Sequence, residues 1–305
     1  MAQSKVTSLK QWGIGALLLL SCLAMEIAPA AQAAGSSFPL LFDKRERLPR
    51  PDLSTVLRLR FLTSTDFPPF NFADQTGKLS GFHVDLAREI CTELAIEARC
   101  QIQALPYADL EAALADGQGE VVVAGVTSTA ALRQRFAFSR PFMMLPARFV
   151  VTKRAPLAGT DARALVGKPV GVVAGTTHEA MLKAYFPGLV ARPYQDRNAL
   201  YAALTKGEIE AGFADALQLS FWTNSTASQN CCRLFDGPYF SQDFLGEGLT
   251  AMVTKSDPRL APAIDSALAS LARKGRLQEI YFRYFPYDLY DEPPGATAPG
   301  NQALR

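Results

Sequence analysis

Histidine is almost missing from this chain of 305 residues: only His83 and His178 occur, far apart. Neither has a second His, a Cys or a carboxylate beside it at ligand spacing, which argues against a histidine-based centre, and no metal is expected. Charge of one sign is missing too. With 31 Lys and Arg against 29 Asp and Glu, the net charge of +2 supplies no clustered cations to neutralise phosphates, so nucleic acid is not expected as a partner. No apolar run reaches the roughly 20 residues that span a bilayer. A Gly-rich phosphate loop, a Ser-His-Asp arrangement and a nucleophile elbow are all absent, and no cofactor is expected. The composition, 49% hydrophobic and 20% charged, excludes disorder, collagen, coiled coil and a disulfide-dense miniprotein.

What is present begins with an export pattern. Lys5 and Lys10 precede an apolar run over 12–25, and Ala31, Gln32, Ala33 form an Ala-x-Ala site, so residues 1–33 read as a cleaved signal peptide. Cleavage before Cys22, as a lipoprotein, is less favoured because the apolar run continues through Leu23, Ala24 and Met25. Without Cys22 four cysteines remain, an even number in a compartment that permits disulfides. Cys91 falls late in a helical pattern and Cys100 in the strand-like stretch after it, so a local bridge would pin a helix end to the next strand. For the adjacent Cys231 and Cys232 a vicinal disulfide and two free thiols both stay open.

The length suits two lobes. Residues 34–56 read as a leader without periodicity. From Leu57 the pattern alternates: a strand over 57–63, a helix from Asp85 with Leu86, Ile90 and Leu94 on one face, a strand at 100–104, a helix with Leu110 and Leu114, and the buried run 121–124. The same grammar returns with strands at 170–173, near Val190 and at 211–214, separated by helices over 176–185 and 198–205, the latter ended by Gly207. Two α/β halves are the expectation. Two further helices, over 258–272 and 277–284, close the folded part.

Three segments fall at the C-terminal ends of these strands, where open α/β sheets hold ligands. The first is Thr65, Asp66, Phe67, Pro68, Pro69, Phe70, followed by Gly81, Phe82, His83, Val84, Asp85. The second runs Ala124, Gly125, Val126, Thr127, Ser128, Thr129 and on to Arg133 and Phe138, Ser139; the third is Gly171, Val172, Val173, Ala174, Gly175, Thr176, Thr177, with Gly212, Phe213, Ala214, Asp215 after it. Over 57–286 these segments resemble the family 3 extracellular solute-binding proteins, the polar amino-acid receptors of ABC importers. The resemblance implies an α/β, two-lobed type II periplasmic-binding-protein fold, each lobe a mixed sheet flanked by helices. It implies two hinge crossings, near 149–154 and 246–255. Lobe one would comprise 57–150 plus 250–287, lobe two 151–249, with 288–305 a flexible tail. It further implies a periplasmic monomer that captures an amino acid or similar small solute by hinge closure and delivers it to an ABC transporter permease, without enzymatic activity.

The roles follow from the ligand's chemistry. An α-amino acid needs a planar cation for its carboxylate, an anion for its ammonium and a face for its side chain. Arg133 is the candidate carboxylate clamp, aided by backbone N–H groups of Thr127 and Thr177 at helix N-termini. Asp215 is the candidate ammonium partner, and Phe67 and Phe70 the aromatic wall. Thr127, Thr176 and Thr177 offer hydroxyls, and Asp66 and Gly125 complete the set. The sequence departs from the family's common T-P-E-R, since Arg133 lies one residue later after Thr129, and His83 stands where an acidic residue is frequent. Two alternatives follow. A cyclohexadienyl-dehydratase-like enzyme would need a spare carboxylic acid, for which only Asp66 is available. An accessory or sensory protein that has lost amino-acid capture would fit Ala124, Gly125, Val126 in place of a serine-rich pattern.

Overall fold

The computed structural model describes residues 41–43, 45–285 and 289–290, so the expected signal peptide at 1–33 and most of the expected tail lie outside the described residues. The chain forms β1 (Leu59–Thr63), β2 (Asp66–Phe67), β3 (Asn71–Ala73), β4 (Leu79–Ser80), α1 (Phe82–Glu93), β5 (Cys100–Ala104), α2 (Leu110–Ala115), β6 (Val121–Val122), α3 (Ala130–Arg135) and β7 (Ala137–Phe138). There follow β8 (Ala147–Thr152), β9 (Pro169–Val173), α4 (Thr177–Tyr185), β10 (Val190–Tyr194), α5 (Arg197–Lys206), β11 (Ala211–Asp215), α6 (Ala216–Thr223), β12 (Cys232–Leu234), α7 (Gln242–Leu245), β13 (Met252–Val253), α8 (Leu260–Arg273) and α9 (Arg276–Tyr284).

Two five-stranded sheets result, in the orders β5-β1-β6-β13-β7 and β10-β9-β11-β8-β12, and β2-β3-β4 form a small third sheet. Each large sheet holds three parallel strands built as βαβαβ, then two strands each paired antiparallel to the one before it. Strand alternation divides the apolar residues between the faces. Leu59, Phe61, Val121 and Val123 pack against α1, α8 and α9, whereas Leu62 and Val122 meet Leu110 and Leu114 of α2. In the second sheet Phe149, Val170, Val172 and Phe213 face Met181 and Leu182 of α4, while Val150 and Ala214 face Leu200 and Leu204 of α5.

The chain passes between the sheets twice. The first passage lies at 139–146, upstream of the 149–154 expected from sequence: the continuously buried run Ala147–Val151 is long enough to be a strand, and it pairs with β11 and β12 inside the second sheet. The second passage ends where β13 enters the first sheet, so 252–253 is strand and not crossing. The passages bind one another: Leu249 N–H donates to the Met143 carbonyl at 2.7 Å and Phe142 N–H to the Leu249 carbonyl at 2.9 Å.

Residues outside regular elements are also packed. Phe42 and Leu53, in the stretch read as a leader, are buried in the core around α1 and α8, and Arg140 lies over the Phe42 ring. Leu289 and Tyr290 join the same core, and the Tyr290 hydroxyl donates to the Met144 carbonyl at 2.8 Å, so these two residues of the expected flexible tail are packed. Their apolar bulk supplies the reason. Cys91 of α1 and Cys100 of β5 form a disulfide across 6.2 Å between Cα atoms, and Cys231 and Cys232 form a vicinal one.

Candidate functional site

The first wall is the loop that follows β1. Phe70 N–H donates to the Phe67 carbonyl at 2.8 Å, closing a turn around Pro68 and Pro69. The Phe67 ring stacks on Phe70 at 4.6 Å and lies over Gly125, where an added Cβ would stand 2.9 Å from the ring. Gly125 also has φ +75, so its lack of a side chain serves both backbone and ring. Gly125→Ala is expected to lower stability by about 1 to 2 kcal/mol in a urea titration, from the left-handed backbone and the displaced ring. An unchanged midpoint would show that the ring is not seated there.

Behind Phe67 a polar chain ties the loop to α1. Asn71 donates to the Ser64 carbonyl and hydroxyl oxygens at 3.1 and 2.7 Å, and its own oxygen lies 2.8 Å from His83 Nδ1. That arrangement makes Nδ1 the protonated nitrogen of a neutral ring. Burial lowers the His83 pKa to about 3, so the ring stays neutral and structural. Phe70 lies deeper still. It is fully buried among Phe82, His83 and Phe285, and of the expected aromatic wall only Phe67 faces the cavity.

The second wall is made by α5 and α6, each beginning on an aspartate. Asp196 accepts from Ala199 N–H at 2.8 Å, and Asp215, at the end of β11, accepts from Gln218 N–H at 2.9 Å. Between this wall and the loop is an open cavity of about 1010 Å³, to which Asp66, Phe67, Pro68 and Pro69 contribute from one side and Arg197, Tyr201, Gln218 and Trp222 from the other. Asp215 is not itself among the lining residues; it caps α6, whose Leu217 and Gln218 are. Burial raises its pKa to about 6, against the opposing effects of the Gln218 and Leu217 N–H groups and of Arg197. It has no ion-pair partner among the described residues.

The other expected residues are placed elsewhere. Arg133 is bonded to Glu247, lies over the Phe138 ring at 5.2 Å and is 45% exposed, so the expected clamp is not on the cavity. The reason is local: Leu132 turns toward the core beside α2, which leaves Arg133 on the outer face of α3. Thr176 caps α4, donating to the Val173 carbonyl at 2.7 Å and accepting from Glu179 N–H at 3.3 Å, so its hydroxyl is engaged within the protein. Thr127 and Thr177 lie outside the cavity lining. Sequence reasoning missed Arg197, Tyr201 and Trp222. Arg197 and Tyr201 are four residues apart on one helix, a legible pairing, but the face of α5 that fronts the cavity was not. Among the described residues no three His, Cys, Asp or Glu side chains converge to hold a metal, and no helix is long and apolar enough to cross a membrane.

Two mixed α/β sheets joined by paired chain passages, with an open cavity walled from both, define a protein built to hold a small solute. The chain belongs to the bacterial extracellular solute-binding proteins, family 3, whose sequence profile matches residues 59–287. It is 29% identical over 238 residues to the histidine-binding periplasmic protein of Salmonella typhimurium, covering 76% of this chain and 89% of that one. It is 30% identical over 226 residues to the L-cystine-binding protein TcyJ of Escherichia coli, covering 73% and 80%. Its fold is like that of the L-cystine solute receptor of Neisseria gonorrhoeae in the unliganded open conformation, with a TM-score of 0.65 at 17% identity over 77% of this chain and 95% of that one. Each of these relatives is named for what it binds and not for a reaction.

Proposed function

We propose that this protein is a periplasmic receptor that takes an amino acid into the cavity between its two sheets and presents it, as a monomer, to the permease of an ABC importer. In this reading the first sheet with α1, α8 and α9 is one lobe, the second sheet with α4 to α7 is the other, and the paired passages at 139–146 and 246–251 are the hinge. Solute bound across the cavity favours the closed form, because only there does it touch both walls, and the permease reads that shape.

The observation that carries the reading is Asp215. A carboxylate that is desolvated, has no ion-pair partner among the described residues and caps a helix lining a cavity is stabilised by an arriving ammonium group. Binding of that ammonium needs the ionised carboxylate. Amino-acid affinity is therefore expected to rise about tenfold per pH unit up to about pH 6, where Asp215 gives up its proton, and to level off above it. Isothermal titration across the amino acids between pH 4.5 and 8 tests both statements. Absence of any binding would overturn the receptor assignment, and pH-independent binding would remove Asp215 from it.

A further inference from the structure

The expected carboxylate clamp, Arg133, pairs with Glu247 at the surface, Lys255 donates to its carbonyl at 2.7 Å, and it is not among the residues lining the cavity. A different cation is available. Arg197, in the first turn of α5, lines the cavity and forms no hydrogen bond or ion pair among the described residues. It acts electrostatically on both Asp215 and Tyr201. The carboxylate and ammonium of an α-amino acid sit on one carbon, so their partners must belong to one neighbourhood: Arg197 opens α5 and Asp215 caps α6, the two helices of this wall.

Beside this pair is an aromatic face. Tyr201, one helical turn after Arg197, stacks on Trp222 with centroids 4.2 Å apart and planes within 12°. Both rings line the cavity, opposite Phe67 and Pro68. The Tyr201 hydroxyl is buried without a hydrogen-bond partner among the described residues, an arrangement that a polar ligand atom would relieve. At about 1010 Å³ the cavity stands at the upper end of the roughly 300–1,000 Å³ typical of ligand pockets, more than a short aliphatic side chain fills.

We propose that the wall formed by α5 and α6 is a subsite for an aromatic side chain, and that Arg197 is the carboxylate partner of the amino acid that carries it. This rests on the amino-acid reading above and specifies its substrate class.

The chain contains only two tryptophans, Trp12, inside the segment read as a cleaved signal peptide, and Trp222, so the protein expressed without residues 1–33 reports the cavity through a single tryptophan. L-Phenylalanine, L-leucine and 3-phenylpropionate, none of which absorbs at the long-wavelength edge of tryptophan excitation, are titrated into this protein, with calorimetry in parallel. L-Phenylalanine is expected to bind at least tenfold more tightly than L-leucine and to change Trp222 emission. Arg197→Ala should weaken it at least a hundredfold, while Arg133→Ala leaves it unchanged. Tyr201→Leu should weaken L-phenylalanine about tenfold and L-leucine far less. Equal binding of both amino acids with silent Trp222 emission would overturn the subsite and leave the receptor reading standing. Binding of 3-phenylpropionate as tight as that of L-phenylalanine, with the same emission change, would support the aromatic face and overturn the amino-acid reading. Failure of all three probes would overturn the subsite, while the receptor reading falls only if the titration across all the amino acids is silent as well.

Discussion

Asp215→Asn is expected to abolish amino-acid binding while making the ligand-free protein more stable at neutral pH. Burial raises the Asp215 pKa from 3.8 to about 6, so the folded protein holds this proton more tightly than the unfolded chain. The folded state is therefore favoured at acid pH, that advantage is lost as pH rises from about 4 to about 6, and above pH 6 the ionised group destabilises the fold by about 3 kcal/mol. Asparagine removes the charge and keeps the cap, since Asn and Asp serve comparably at a helix N-terminus. Urea titrations at pH 8 should show the gain, and those at pH 4 little difference. A variant less stable at both values would show that the carboxylate is not under strain of this kind.

His83 gives the same experiment a second readout. Its neutral, buried ring makes the unfolded chain the better proton acceptor below pH 6.5, so falling pH destabilises the fold, by up to about 1.4 kcal/mol per pH unit. Burial shifts His178 in the same direction. Between pH 4 and 6 these effects oppose that of Asp215, so the native protein should show a shallow dependence and Asp215→Asn a visibly steeper one.

Gly81→Ala is expected to have the larger effect on folding. Gly81 precedes α1 with φ +127, and a Cβ there would stand 2.3 Å from the Phe70 carbonyl oxygen and 2.8 Å from Asn71 nitrogen, both backbone atoms with nowhere to go. The approach is this close because Phe82 and His83 N–H groups donate to the Pro69 and Phe70 carbonyls at 3.1 and 2.8 Å, pinning the helix start to the loop that presents Asp66 and Phe67. A loss of about 3 kcal/mol or more is expected, with weakened ligand binding in whatever protein folds. Gly117→Ala is the comparison. It shares a positive φ, +70, but nothing lies within 4 Å of its Cβ, so about 1 kcal/mol is expected. Equal losses at the two positions would show that backbone conformation, and not the close approach, governs Gly81.

Local chemistry made much of the fold legible before any coordinates. The apolar run at 121–124, the helical spacing of Leu86 and Ile90, and Gly207 with φ +74 at the end of α5 each act over a few residues, so periodicity and caps reveal them. Boundaries that depend on a distant partner were less legible. Ala147–Thr152 became a strand of the second sheet because β11 and β12 lie on either side of it. The burial of Phe42 and of Leu289 could not be read from segments without periodicity. The same holds for Tyr290, whose partner Met144 lies far back in the chain.

The candidate site divides the same way. By itself the sequence determined the family, the order of α/β units and the positions of Asp66, Phe67, Gly125 and Asp215 near strand ends, because these follow from motifs and short-range patterns. The tertiary structure alone decided which arginine meets the cavity. Arg133 and Arg197 both stand in a short-range helical pattern, and nothing local separates them. Glu247, 114 residues further along, captures the first, whereas the packing of Leu200 and Leu204 against the second sheet turns the second toward open space.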